Sequence, residues 1–296
     1  MNDPTDIFEG ERQKLTSLCY RMLGDRASAE DAVQDTWLRW VAADHKAINR
    51  PSAWLRRVAT NIAIDALKSA RQRRETYVGP WLPEPLMPVS PDAGEPFELA
   101  QECQLALLWA MERLTEDQRA AFILREAFDA GYDEISAALG KSEATCRQLV
   151  SRSHKHLQES GPRFDTPPKE VEALITKFFA AATAFDHDTA IGLFAPNAVG
   201  ITDGGRKARA ARRILVGPDD IMHVLFSVWR KVSKDNNRTA EPLIVNQTPA
   251  IALSVEGKLD SIITLAPDKN GKIAWLYIMR NPDKLTGFAP KTICEG

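Results

Sequence analysis

The chain has 296 residues, 44% hydrophobic and 26% charged, with a formal net charge of −2, which is the profile of an ordinary soluble protein with room for two or three domains. No run of about 18 apolar residues is there to span a bilayer, and Met1-Asn-Asp-Pro-Thr-Asp6 lacks a basic-then-apolar leader. A cytoplasmic protein without a membrane segment is expected.

Cys19, Cys103, Cys146 and Cys294 are far apart and form no Cys-x-x-Cys pair, so neither a disulfide framework nor a zinc site is suggested. His154 and His156 are two apart on a helical pattern and do not face one another. No metal and no cofactor is expected.

The small net charge hides a segregation along the chain. Residues 1–35 hold eight acids against four bases, and residues 50–74 hold one acid against seven bases. Residues 81–139 return to twelve acids and three bases, and residues 141–158 hold four bases and one acid. Basic faces suit DNA phosphates, and acidic faces suit a large basic protein partner or simply solubility.

Taken in order, Glu9 to Gly24 places Leu15, Leu18, Cys19, Met22 and Leu23 at helical spacing, with Gly24 as the stop. Ser28 is read as the cap of a second helix, Ala29 to Trp40, with Ala32, Val33, Thr36, Trp37 and Trp40 inward. Its other side carries Glu30, Asp31, Gln34 and Asp35. Pro51 and Ser52 open a third helix to about Arg74, with Trp54, Leu55, Val58, Ile62 and Leu67 buried. Arg57, Asn61, Asp65, Lys68, Arg71, Arg73 and Arg74 make its outer face, where aromatic, amide and basic groups together suit separated DNA strands.

The stretch 77–91 holds five prolines, so an extended linker of limited flexibility is expected. Trp81, Leu82 and Leu86 are poor residues to leave in water, which predicts that the linker docks on a surface.

Tyr132 to Arg152 carries the clearest motif. Ile135, Ala138, Leu139, Cys146, Leu149 and Val150 fit one face of two short helices, Gly140 stops the first, and Ser142 caps the second with Glu143 in its first turn. In such a helix-turn-helix the second helix enters the major groove. Thr145, Arg147, Gln148, Ser151, Arg152 and Lys155 would then face base edges and phosphates. A helical hairpin with a solvated basic face is the plain alternative, and Lys141 stands where an apolar turn residue is more usual.

From Thr166 onward, Val171, Leu174, Ile175, Phe178, Phe179, Ala182 and Phe185 make one helix, and residues 221–232 another with Leu225, Val228 and Trp229 inside. Alternating runs at 242–246, 250–255, 261–266 and 272–279 follow, the first joined by a proline-bearing connection and the others turning at Glu256-Gly257 and Asn270-Gly271. This order reads as α+β.

Three sets of residues together carry a resemblance. Ala29-Glu-Asp-Ala-Val-Gln-Asp-Thr-Trp-Leu-Arg39 with Trp54-Leu-Arg-Arg-Val-Ala-Thr-Asn-Ile-Ala-Ile-Asp65 resembles the sigma-2 domain of extracytoplasmic-function sigma factors, over residues 8–75. Leu114-Thr-Glu-Asp-Gln-Arg119 with the helix-turn-helix resembles their sigma-4 domain, over residues 98–158. The segment 168–285 resembles the SnoaL-like domains, cone-shaped folds of a curved sheet wrapped on helices around a pocket. Trp81-Leu-Pro-Glu-Pro85 and Asn281-Pro-Asp-Lys-Leu285 resemble motifs of the sigma-factor subgroup that carries such a domain, and Asp203-Gly-Gly-Arg-Lys207 matches a third motif approximately.

The resemblance implies two all-α domains followed by an α+β SnoaL-like domain: sigma-2 at 1–75, linker at 76–97, sigma-4 at 98–160 and a regulatory domain at 161–296. It implies core RNA polymerase and promoter DNA as partners. Asp31, Gln34 and Asp35 would dock on the polymerase clamp helices. Trp54, Asn61, Asp65, Lys68 and Arg71, with the segment 44–50, would handle the minus-ten element by capturing a flipped base. Thr145, Arg147, Gln148, Ser151, Arg152 and Lys155 would read the minus-thirty-five element. Trp81 to Pro85, Asp203 to Arg206 and Asn281 to Leu285 would carry control by the C-terminal domain, whose pocket would take an unidentified small ligand. Because enzymes share this fold, Asp203 and Tyr277 are also candidate proton-transfer groups, although fold alone confers no activity. A polymerase-independent helix-turn-helix regulator is the other reading.

Overall fold

The computed structural model describes residues 3–87, 97–159, 162–164, 166–232 and 238–286, and of Arg73 and residues 228–232 the backbone alone. The expectations for Cys294, for the last four residues of the proline-rich stretch, and for the side chains of Arg73, Val228 and Trp229 lie outside the described residues. Two compact units are present. One holds Met1–Thr76, Pro88–Cys103 and Leu107–Ser160; the other holds Tyr77–Met87, Gln104–Ala106 and Gly161–Gly296.

The first unit opens with α1 (Pro4–Leu23), started by the Asp3 side chain and stopped by Gly24 at φ 70°. α2 (Arg26–Val41) begins three residues earlier than its sequence suggests, because the Asp25 carboxylate accepts the Ser28 N–H at 2.7 Å and takes the capping role expected of Ser28. α3 spans Pro51–Arg74. Leu15, Leu18 and Met22 of α1, Val33 and Trp40 of α2, and Leu55, Ile62 and Leu67 of α3 form the buried core. Burying each such side chain stabilises by about 1.5–3 kcal/mol before entropy is counted. Trp37 and Trp54, expected inside, are only half-buried; Trp54 rests 5.4 Å from the Trp40 ring.

Further along lie α4 (Leu105–Met111), α5 (Glu116–Phe128), α6 (Tyr132–Leu139) and α7 (Glu143–Gln158). Thr115 and Gln118 form a reciprocal capping box at the start of α5. Arg119 is fully buried, held by Glu112 and by the Arg21 carbonyl.

In the second unit, α8 (Pro168–Thr183) buries Val171, Leu174, Ile175 and Phe178. Phe185, expected on this helix, lies beyond its end at φ 56° and is exposed. After α9 (His187–Gly192) come β1 (Phe194–Asp203), β2 (Leu215–Val216), α10 (Pro218–Val232), β3 (Arg238–Val245), β4 (Thr248–Val255), β5 (Lys258–Pro267) and β6 (Ile273–Met279). Among the described residues these strands make one six-stranded sheet in the order β2-β1-β6-β5-β4-β3. β1 runs parallel to β6 and the other pairs are antiparallel.

β1 and β2 were not expected, and β3, β4 and β5 run longer than their alternating segments. Where a proline-bearing connection is expected, Asn246 and Gln247 make a two-residue turn at φ 47° and 55°. The turns at Glu256-Gly257 and Asn270-Gly271 fall where expected. β6 is buried along its whole length. One face of the sheet, with Ile263, Leu265, Leu276 and Ile278, packs with α8 and α10. The other carries Ile262, Thr264, Tyr277 and Met279 against Leu82, Pro83 and Pro85 of the proline-rich segment. Both faces of these strands are therefore covered, which explains the unbroken apolar run Ile273 to Met279.

Candidate functional site

α6 and α7 meet at Gly140, whose φ of 64° is left-handed, and Ser142 restarts the chain by accepting the Thr145 N–H at 3.2 Å. Ile135, Ala138, Cys146, Val150 and Leu157 are buried, so the opposite side of α7 is turned outward. Thr145, Arg147, Gln148, Ser151, Arg152 and Lys155 are all exposed on it. Arg147 is steadied by Glu143 at 2.7 Å and lies 4.9 Å over the Tyr132 ring. Lys141 forms a 3.0 Å ion pair with Asp117, which ties the turn to the first turn of α5. That pairing accounts for a lysine at a turn position where an apolar residue was more usual.

An open groove of about 520 Å³ lies between the loop after α2, the start of α3 and the start of α6. Asp44, Asn49, Arg50, Trp54 and Arg57 line one side, and Asp133 and Glu134 the other. The Glu134 carboxylate accepts from Arg50 and, at 3.1 Å, from Arg56. Asp65 and Lys68 are exposed and 3.4 Å apart, and Asn61 is half-buried. Arg71 stands apart from this group. Its guanidinium reaches Glu116 at 2.7 Å and the carbonyls of Glu112 and Leu114, so it holds the turn before α5. Arg74 is likewise engaged by Glu112 and the Leu23 carbonyl, and burial pushes its pKa down to about 10.

On α2, Asp31, Gln34 and Asp35 are exposed on one face, at the spacing that makes neighbours on a helix. The same face continues into Leu38 and Val41, which are 58% and 56% exposed. Neither is among the residues expected to meet the polymerase, and their one sequence signal is an apolar residue on the polar side of the helical pattern.

The motifs of the second unit converge on one buried carboxylate. Asp203, at the end of β1, has no exposed surface and accepts four hydrogen bonds. Oδ1 takes the Tyr77 hydroxyl at 2.6 Å and the Gly205 N–H at 3.1 Å; Oδ2 takes the Leu82 N–H at 2.9 Å and Lys284 Nζ at 2.7 Å. Lys284 also donates to the Leu82 carbonyl and lies 4.2 Å over the Trp81 ring. Asn281 donates to the Tyr77 hydroxyl at 2.8 Å. A Cβ on Gly204 would stand 2.4 Å from the Ala208 carbonyl, and one on Gly205 2.8 Å from the Asn281 amide, so both positions require glycine. A second clamp lies at Asn246, whose side chain accepts the Leu86 N–H and whose N–H donates to the Leu86 carbonyl.

Leu82, Pro83, Pro85, Gly204, Gly205, Asn281, Lys284 and Leu285 are thus buried here, while Arg206, Pro282 and Asp283 are exposed and Trp81 and Glu84 half-buried. Asp283 pairs with Lys207. Tyr77 and Asn246 were not picked out from the sequence, since a lone tyrosine and a turn asparagine carry no local sign of a tertiary partner.

This geometry revises the proton-transfer idea. Asp203 and Tyr277 sit on the sheet face covered by the proline-rich segment, and the void left there is about 10 Å³. Asp203 meets Tyr77, Leu82, Gly205 and Lys284, and two cavities that Tyr277 lines are each about 10 Å³. Among the described residues no group of three or more His, Cys, Asp and Glu could hold a metal, and no helix is long and apolar enough to cross a membrane.

A helix-turn-helix with an outward polar face, a second helical domain with a basic helix, and a fused α+β domain define a DNA-binding factor of the sigma class. Residues 7–74 match the family described as Sigma-70 region 2, and residues 104–157 the one described as Sigma-70, region 4. The ECF RNA polymerase sigma factor SigJ of Mycobacterium tuberculosis is 34% identical over 95% of this chain and 92% of its own length. A second protein of that organism, described as "Probable ECF RNA polymerase sigma factor SigI", is 28% identical over 96% of each chain. The crystal structure of the Mycobacterium tuberculosis SigJ superposes with a TM-score of 0.75 and 31% identity, covering 96% of this chain and 99% of that one. The chain belongs to the ECF RNA polymerase sigma factors. As a family these bind core RNA polymerase and promoter DNA to initiate transcription.

Proposed function

We propose that α7 reads the upstream promoter element through Thr145, Arg147, Gln148, Ser151, Arg152 and Lys155. The groove at 44–57, with Trp54, Asn61, Asp65 and Lys68, takes the opened downstream element. Asp31, Gln34 and Asp35 dock on the polymerase, joined by Leu38 and Val41 as an apolar anchor. The chain works in the cytoplasm, where polymerase is, and performs no chemistry of its own.

The C-terminal unit regulates in cis and responds to a small ligand. The observation that carries this reading is Asp203, a buried carboxylate that draws two of its four donors, Tyr77 and Leu82, from the segment that follows α3. A tethered partner acts at an effective concentration up to the mM range, so contacts this local suffice for control. Holding that segment limits how far the sigma-2 and sigma-4 domains can move apart. Copurification with core polymerase tests the first part: Leu38→Glu combined with Asp35→Arg should abolish recovery without lowering the melting temperature. Undiminished recovery would show that this face of α2 is only solvated surface.

A further inference from the structure

Between α10 and the helix-covered face of the sheet lies a cavity of about 70 Å³ lined by apolar residues and by three arginines. Leu225, Leu253 and Ile263 line it, together with Arg238, Arg280 and Asp260.

Two observations on the arginines point to a missing partner. The Nε–H of Arg238 and that of Arg280 are both hidden from water and have no acceptor among the described residues. Buried donors of this kind are nearly always paired. The charges also fail to balance, because three arginines, Arg209 with these two, line the cavity against the one carboxylate of Asp260. Arg280 has already spent its terminal nitrogens, one on the Arg209 carbonyl and one on Asp260 at 2.6 Å. Burial holds the pKa of Arg238 below its ordinary value; Asp260 opposes that shift and Arg280 adds to it.

We propose that this cavity binds a small monocarboxylate, its oxygens held by the Arg238 and Arg280 guanidinium groups and its short alkyl chain by Leu225, Leu253 and Ile263. A carboxylate offers two oxygens to two guanidinium N–H donors and brings negative charge to a lining in which three arginines face one carboxylate. The fit in size follows from the volume: one water needs roughly 10–15 Å³ of such space, so about 70 Å³ admits roughly five or six heavy atoms, an anionic head with a few carbons. Phosphate would bring further oxygens that apolar walls leave unsatisfied. The inference rests on the reading of the C-terminal unit as ligand-responsive and names the ligand class.

The test titrates the full chain with sodium butyrate at constant ionic strength, following heat of binding and melting temperature. Saturable stabilisation is expected, and none with sodium chloride, butanol or butylammonium. Arg238→Gln should weaken binding roughly tenfold or more. Asp260→Asn, which removes the competing carboxylate, should tighten it, a change that mere loosening of the fold does not produce. Should Arg238→Gln lower the melting temperature of the free protein, Arg280→Lys, which keeps the charge and loses the fork, is expected to show the same loss of binding. Equal binding of butanol, or undiminished binding in both arginine variants, overturns the proposal. Phosphate or butylammonium taking the cavity in place of butyrate overturns the carboxylate class and leaves the regulatory reading standing. Butyrate that binds as described yet leaves reconstituted transcription unchanged would instead sink the regulatory reading and leave the site.

Discussion

Lys284 Nζ lies 2.7 Å from Oδ2 of Asp203, an ion pair in which the lysine side chain is 9% exposed and the aspartate not at all. Such a pair is weak evidence for stability by itself, but breaking it from one side leaves a buried charge uncompensated. Asp203→Asn should therefore cost about 3–5 kcal/mol, read by urea unfolding of the second unit. The double variant Asp203→Asn, Lys284→Met should recover part of that loss, because the stranded ammonium is gone. Additive losses in the two singles and the double would show that the residues do not act as a pair.

Tyr77 gives this dock a pH signature. Burial, then the hydrogen bond to Asp203 and its charge, push the pKa of Tyr77 well above the ordinary tyrosine value. The folded state thus keeps a proton that the unfolded chain releases near pH 10. The contribution is fully present below that pH and is lost as pH rises from about 10 toward the raised folded value. In an ultraviolet titration of tyrosinate, wild type minus Tyr77→Phe should reveal one tyrosine that resists ionisation past pH 10. A difference spectrum with a midpoint at the ordinary value would place Tyr77 in water.

Glu134 restrains the groove that the opened promoter strand would enter. Its carboxylate is 15% exposed and holds Arg50 and Arg56. Replacing it with Gln should release both guanidinium groups for phosphates. Since Arg50 is 66% exposed, the ion pairs are discounted to about 1 kcal/mol together, so promoter affinity should rise several-fold and its dependence on salt should steepen. Unchanged affinity in filter binding across a salt series would mean that Glu134 does not compete with DNA.

On α7, Arg147→Ala should cost about 1–3 kcal/mol and relax one upstream base position, whereas Lys155→Ala should weaken all sequences evenly. Selection from a randomised promoter library distinguishes the two. Identical profiles for both variants would remove α7 from base readout.

Local signals made half of this molecule legible. Gly140 and Ser142 mark the helix-turn-helix because a left-handed stop and a side-chain cap act within a few residues, and the structure places both where they were expected. The same kind of signal misled at α2, where Asp25 and Ser28 both suit a cap and only the geometry decides between them. β1 escaped notice because Pro196, Asn197 and Gly200 interrupt its pattern and its partner, β6, is distant in sequence. The dock was half visible: stranded Trp81, Leu82 and Leu86 announced that a surface covers them, yet nothing near Tyr77 or Asn246 announced their partners. The cavity arginines were silent for the same reason, since Arg238 and Arg280 acquire meaning only when β3 and β6 stand in one sheet.

If the grip of Asp203, Asn281 and Lys284 on the proline-rich segment sets sigma activity, transcription from a matched promoter by purified core polymerase reveals it most directly, with the full chain, the Asp203→Asn variant and a chain ending at Arg280 run side by side. Both altered chains should change promoter output in the same direction, upward, and protease should cut within residues 77–87 more readily as output rises. Output equal to that of the full chain in both, with the segment now open to protease, would show that the grip does not set activity.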